Sequence, residues 1–256
     1  MQNKAEATNT ARRGLAAWPS APDVVAIPRD EVHVFLVNLD GSGSMPRHKS
    51  LLSSDEIDRA NRYVRARDRD WFIARRGFLR GLVAGYTGIK PASIELKYSK
   101  NGRPHLSEKQ NELALTFSLS SCEGLALYAF TCNRPVGIDL ECIRPVTDLL
   151  EIARRQLSLR EYEDISKLPE NLQQEAFYTC WVCKEAYIKA RGIIPLKEFD
   201  VSAEPGQAPT LLADRTCPSE ARQWSFSLLD LGVHWRAVVV TQSRNLSLRC
   251  WRINKV

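Results

Sequence analysis

Pro135-Val136-Gly137-Ile138-Asp139-Leu140-Glu141-Cys142-Ile143 is a short apolar run with two acids set two residues apart. Its length and apolar content predict a strand. Residues two apart on a strand point to the same face, so Asp139 and Glu141 project together. Two carboxylates side by side repel unless a cation joins them. A hard, oxygen-preferring ion such as Mg²⁺ requires that arrangement, with waters and substrate phosphates completing its shell. An edge strand carrying solvated acids fits this segment equally well.

Upstream, the runs LALTFSLS (113–120) and GLALYAF (124–130) have the same character, and the three together look like neighbours in one sheet. VHVFLVN (32–38), ending at Asp40-Gly41, reads as a buried strand and turn. Ser53-Ser54-Asp55-Glu56 is a helix start, and the apolar spacing that follows predicts two successive helices over 54–87. Ile94 to Tyr98 alternates like a strand before a turn at Asn101-Gly102. Downstream, helical patterns cover about 147–165 and 171–191, the second stopped by Gly192 and Pro195. Strands are predicted at 224–231, 234–241 and 246–253, with Gly232 and Asn245 in the turns.

This order predicts an α+β protein of two similar α/β halves, residues 24–133 and 134–256, behind a disordered leader at 1–23. With 256 residues, 44% of them apolar, the chain is long enough for a substantial core. Its 36 basic and 30 acidic residues leave +6, which favours an anionic ligand or acidic partner without demanding nucleic acid. No stretch approaches the roughly 20 apolar residues of a membrane helix, and no apolar signal core opens the chain, so a cytoplasmic protein is expected. Seven cysteines, an odd number in mostly apolar surroundings, read as reduced thiols; Cys180 and Cys183 lack the second pair a zinc site needs.

The second segment with chemical content is Phe177-Tyr178-Thr179-Cys180-Trp181-Val182-Cys183-Lys184-Glu185-Ala186-Tyr187-Ile188-Lys189-Ala190. Phe177, Trp181, Glu185 and Ile188 share one helical stripe, so Glu185 lies on the face that otherwise meets the core. A carboxylate there needs a partner, and a salt bridge to a nearby Arg or Lys is the common answer. Lys184 and Lys189 flank it.

Together, GIDLE and WVCKEAYIKARG resemble the two signature motifs of the phosphopantetheinyl transferase superfamily. Asn101-Gly102-Arg103-Pro104 is similar to the family's Gly-Lys-Pro turn, FSLSSC (117–122) to its Phe-Asn-x-Ser-His-Ser strand, and FIARRGFLRGLVAGYTGI to its first long helix. The resemblance covers about residues 53–200. Length and layout resemble the larger, surfactin-synthetase-activating type, a pseudo-twofold (pseudo-dimeric) monomer whose active site lies between its halves. It implies transfer of 4'-phosphopantetheine from coenzyme A to a serine of apo carrier domains, acyl, peptidyl or aryl, with release of adenosine 3',5'-bisphosphate. Neither nucleic acid nor a membrane enters that reaction.

The resemblance further implies that Asp139, Glu141 and Glu185 hold Mg²⁺ on the coenzyme A pyrophosphate. It makes Lys184 and Lys189 phosphate ligands, Lys189 with a share in catalysis, and Glu161 the general base. Arg59, Arg75, Arg103, Ser120 and Ser121 fall near its coenzyme A contacts. One departure matters. Where the family commonly has Ser-His, this chain has Ser120-Ser121, so the imidazole that would donate to a phosphate is missing; Ser118 likewise replaces an asparagine.

Leu149, Leu150, Ile152 and Ala153 beside Arg154 and Arg155 offer an apolar patch edged by positive charge for a carrier, or an ordinary amphipathic helix. Two other functions compete. A nucleic-acid module on the arginine-rich helix is opposed by interspersed acids, and a non-catalytic relative by the presence of all three carboxylates.

Overall fold

In the computed structural model, Glu31–Asn38 forms strand β1, with six consecutive buried residues between its two ends. The structure describes residues 18–22, 26–40, 45–192, 194–243 and 246–253; most of the expected leader, Gly41 and Asn245 lie outside the described residues. Helices α1 (Met45–Ser50), α2 (Ser54–Asn61) and α3 (Ala66–Thr87) follow, and a capping box of Ser53 with Glu56 starts α2. Strands β2 (Leu96–Tyr98) and β3 (Pro104–Leu106) pair across the Asn101-Gly102 turn. Strands β4 (Leu115–Cys122), β5 (Leu125–Cys132) and β6 (Val136–Cys142) come next.

Helices α4 (Leu149–Gln156), α5 (Leu159–Ser166) and α6 (Glu170–Arg191) precede strands β7 (Phe199–Val201), β8 (Leu211–Asp214), β9 (Ser225–Leu228), β10 (Trp235–Thr241) and β11 (Ser247–Ile253). The helical pattern at 147–165 is thus two helices. They part at Ser158, whose side chain accepts from the Glu161 amide while the Glu161 carboxylate accepts from the Ser158 amide, a second capping box. The short elements α1, β7 and β8 carry too few residues to show a period.

The sheets depart from the expected arrangement. β4 and β5 belong to a four-stranded sheet ordered β11-β1-β5-β4, whereas β6 sits in a separate sheet ordered β6-β10-β9. The reason lies in pairing: β6 runs antiparallel to β10 from Val136 opposite Thr241 to Cys142 opposite Trp235. β11 pairs in parallel with β1, Ser247 opposite Glu31 through Ile253 opposite Val37. No periodicity within either strand could disclose that partnership.

The chain divides into two compact units. One comprises Trp18–Phe117, Ser121–Asn133 and Ser247–Val256; the other includes Ser118–Ser120 and Arg134–Leu246. These depart from halves of 24–133 and 134–256 in two places, because β11 joins β1 and because the middle of β4 groups with the later unit. In that later unit α6 packs on the β6-β10 sheet, its Ala186 and Tyr187 buried in a core with Val238 and Val240. Gly137 makes the approach close. A Cβ there would lie 1.8 Å from the Ala186 carbonyl oxygen, so no other residue fits without moving the helix.

Candidate functional site

That close approach sets the chemistry. On β6, Asp139 is 4% exposed, and Lys189 from the last turns of α6 donates to its Oδ1 at 2.6 Å. The Lys189 ammonium also donates to the Ile138 carbonyl at 3.2 Å and to Ser120 Oγ at 3.2 Å. Ser120 in turn donates to Asp139 Oδ1 at 2.8 Å. Ser118, two residues earlier on β4, accepts from the Ile138 amide at 3.2 Å, which fastens this stretch of β4 to β6. Asp139 Oδ2 is buried without a hydrogen-bond partner.

Glu185 is half-buried nearby. Burial, and then the neighbouring Asp139 charge, push its carboxyl above the ordinary range, against the pull of Lys189. Glu141 lies two residues along β6 from Asp139, opposite Arg236 in the β10 register. Among the described residues no group of three or more His, Cys, Asp or Glu side chains converges to hold a metal ion. Asp139 lies near enough for its charge to act on the Glu185 carboxyl, and Glu141 does not join them in one cluster among the described residues. Lys189 occupies Asp139 Oδ1 as its counter-ion.

Glu161 and Lys184 differ most from expectation. Lys184 is 0% exposed and donates to Glu161 Oε1 at 2.6 Å and to the Phe199 carbonyl at 2.7 Å, with its ammonium 4.1 Å from the Phe199 ring centre. Glu161 Oε1 also accepts from the Val201 amide at 2.8 Å, and Oε2 from the Ser158 amide at 2.9 Å. A cavity of about 420 Å³, lined in part by Glu161, Ile165, Cys180, Val201 and Leu212, adjoins the pair. Both oxygens of the carboxylate are nonetheless engaged and its charge is offset by a buried ammonium. The carboxylate is thereby tied into the core, and Lys184 cannot reach a phosphate without leaving it unpaired.

In the other unit, Arg75 Nη1 on α3 donates to Ser121 Oγ at 2.6 Å, and the Arg75 carbonyl accepts from the Tyr128 hydroxyl at 2.8 Å. Exposed Arg59 and half-buried Arg75 both stand over the Phe72 ring, at 5.4 Å and 5.9 Å from its centre. Arg103 is half-buried, its guanidinium pKa lowered by burial, and its amide donates to Ser99 Oγ at 3.2 Å. Nothing in the chain's periodicity reveals that Arg75 partners Ser121; the missing imidazole at Ser121 was the one signal. Arg80, also on α3, donates to buried Glu56 at 2.6 Å and is structural.

The α4 patch is only partly a surface. Ala153 is fully buried, Leu149 and Leu150 pack against the core, and Ile152 is 36% exposed. Arg154 and Arg155 are exposed, the latter paired with Glu151. Among the described residues no helix is long and apolar enough to cross a membrane.

Comparison with known proteins bears on the segments that carry these residues. Residues 135–243, which carry both signature segments, match the model of the 4'-phosphopantetheinyl transferase superfamily. Residues 44–132 match that of the 4'-phosphopantetheinyl transferase N-terminal region. The chain is 38% identical over 217 residues to 4'-phosphopantetheinyl transferase HetI of Nostoc sp., covering 84% of this chain and 88% of that one. It is 26% identical over 176 residues to 4'-phosphopantetheinyl transferase Sfp of Bacillus subtilis, covering 67% and 76%. With the mouse L-aminoadipate-semialdehyde dehydrogenase-phosphopantetheinyl transferase it shares 27% over 203 residues, covering 72% and 64%. The chain therefore belongs to the 4'-phosphopantetheinyl transferase superfamily, enzymes that transfer 4'-phosphopantetheine to carrier proteins.

Proposed function

We propose that the protein moves 4'-phosphopantetheine from coenzyme A to a serine of apo carrier domains, using Mg²⁺ held by Asp139 and Glu185 and joined by Glu141. The observation that carries the metal assignment is Asp139 Oδ2, a buried carboxylate oxygen without a hydrogen-bond partner, beside a second carboxyl whose pKa burial and Asp139 raise. An oxygen-only donor set of this kind suits a hard divalent ion. When bound, that ion supplies positive charge for the pyrophosphate oxygens.

The chain's own residues do the rest. Ser120 orients Asp139 through its 2.8 Å hydrogen bond. Lys189, whose ammonium already stands at Asp139, carries the second positive charge toward the phosphates. In the transfer, a bond forms between the carrier serine Oγ and the β-phosphorus. The bond from that phosphorus to the adenosine 3',5'-bisphosphate oxygen breaks, the oxygen leaving with the bonding pair, and the serine proton passes to water. Positioning and charge compensation supply most of such catalysis. Glu161 is not the acceptor in this reading, since Lys184 neutralises it.

The decisive experiment mixes the protein with apo carrier protein, Mg²⁺ and coenzyme A and follows the carrier's mass. A gain of one phosphopantetheine is expected; no gain across acyl, peptidyl and aryl carriers refutes the reading. Asp139→Ala should abolish the gain with the fold intact, and full activity in excess chelator would remove the metal.

A further inference from the structure

Ala186 is where α6 sits closest to the sheet, its carbonyl oxygen against Gly137. At about 100° per residue, Glu185 and Lys189 stand on one flank of that contact and Tyr187 on the other, about 200° from both. A helix seated along one line can still roll about it, and a roll of α6 would carry the Lys189 ammonium off Asp139. On the far flank the roll is stopped. Tyr187 is fully buried, and its hydroxyl donates at 2.7 Å to Oδ2 of Asp214, the last residue of β8. Asp214 is buried and itself held: its Oδ1 accepts from the Thr216 amide at 2.8 Å, the Thr216 hydroxyl at 2.6 Å and the Cys217 amide at 3.0 Å. Burial raises its carboxyl pKa, but the Thr216 and Tyr187 donors outweigh that and hold it below the ordinary value. The Tyr187 hydroxyl thus meets an ionised acceptor, which makes the stronger kind of hydrogen bond. Arg191, one turn further on the same flank, lies 4.0 Å from Asp214 Oδ2 and 3.5 Å from Glu220.

Resting on the transfer reading above, we propose that Asp214 is a positioning residue for the reaction. Acting through the Tyr187 hydroxyl, it fixes the roll of the last turns of α6 and so keeps Lys189 at Asp139, with Glu185 on the same flank. The Tyr187 ring is enclosed by Phe199, Trp224 and Phe226, with ring centres 4.9, 5.0 and 6.1 Å away. That packing is non-directional and would hold a phenylalanine as well. What the hydroxyl adds is a direction, anchored in the turn that follows β8. The end of the β7-β8 hairpin, which touches no reacting group, thereby sets where the ammonium stands.

The test uses Tyr187→Phe, which keeps the ring and removes only the hydroxyl, and reads two quantities. The first is independent of activity: the rate at which limiting acetic anhydride labels Lys189, followed by mass spectrometry, with fully buried Lys184 as the internal control. Freed from Asp139, Lys189 should label several-fold faster while Lys184 stays unlabelled. The second is transfer to an apo carrier, where kcat should fall by about tenfold, as for a small misplacement of an active group, with the carrier KM within about twofold. Unchanged labelling of Lys189, whatever kcat does, overturns the proposal. Labelling that rises at Lys184 as well does the same, because the hydroxyl would then hold the core and not the roll of one helix. An unchanged kcat beside faster Lys189 labelling also overturns the role in transfer. Should Tyr187→Phe fail to fold, Asp214→Asn decides on the same readings, since one amide oxygen cannot serve both Tyr187 and the Thr216 donors. If the unaltered protein transfers nothing, the transfer reading fails, and the labelling alone decides whether Asp214 sets the position of Lys189.

Discussion

Glu161 illustrates how one carboxylate can be spent on structure. It caps α5, holds the Val201 amide and neutralises Lys184, all through groups buried in one core. Removing one partner of a buried ion pair costs about 3–5 kcal/mol, because the other charge stays buried alone. Glu161→Gln should therefore lower the unfolding free energy by about 3 kcal/mol, read as a fall in the denaturation midpoint. A variant with unchanged stability and a collapsed kcat would restore Glu161 as the base. Its position in the sequence was legible; its engagement was not, since Lys184 and Val201 reach it from distant elements. His33 offers a second case. Its Nε2 bonds to Glu31 at 2.9 Å and its Nδ1 to the Tyr86 hydroxyl at 2.8 Å, a pattern a neutral ring satisfies by donating to the first and accepting from the second. Burial holds its pKa below the ordinary value, against the pull of Glu31. The folded state thus binds fewer protons than the unfolded one, whose imidazole titrates near 6.5. Stability is fully present above that pH and is lost as pH falls through the lowered value. Thermal scans from about pH 7.5 to 5.5 should show this slope, and His33→Gln should flatten it.

At the level of elements, α6 and β6 form the working pair. Glycine at 137 permits it, and the expectation of a strand bearing Asp139 and a helix bearing Glu185 holds in the structure. Gly137→Ala places a methyl group against the helix backbone and not against a yielding side chain, so overpacking should cost about 3 kcal/mol or more. It should also part Lys189 from Asp139, lowering kcat together with the denaturation midpoint. A stable, fully active Gly137→Ala would show that the helix can shift without consequence. Strand and helix were legible because each carries a clear period over enough residues. The assignment of β6 to a sheet without β4 and β5 was not, because apolar alternation says that a strand is buried and not which strand lies beside it.

For the molecule as a whole, the two motif-bearing segments and their order were enough to identify the family, whereas the chain's route was not. β11 closes the sheet begun by β1, and Trp251 stacks on Phe35 with ring centres 5.3 Å apart. A chain cut after Leu246 would leave β1 with an open edge and Phe35 uncovered. Amide protection in β1 should fall and aggregation rise, measured by hydrogen exchange and light scattering. Undiminished β1 protection in the shortened chain would show that β11 is dispensable.

The same pairing bears on biosynthesis. A ribosome releases β1 early, yet its parallel neighbour, residues 247–253, emerges only after more than two hundred further residues have been made. Through that interval the nascent sheet presents unpaired amides and carbonyls, and a contact of such sequence separation is slow to form. Of the two units, the one that holds β1 is completed only when residues 247–253 join it, which leaves its sheet edge open to wrong partners for longest.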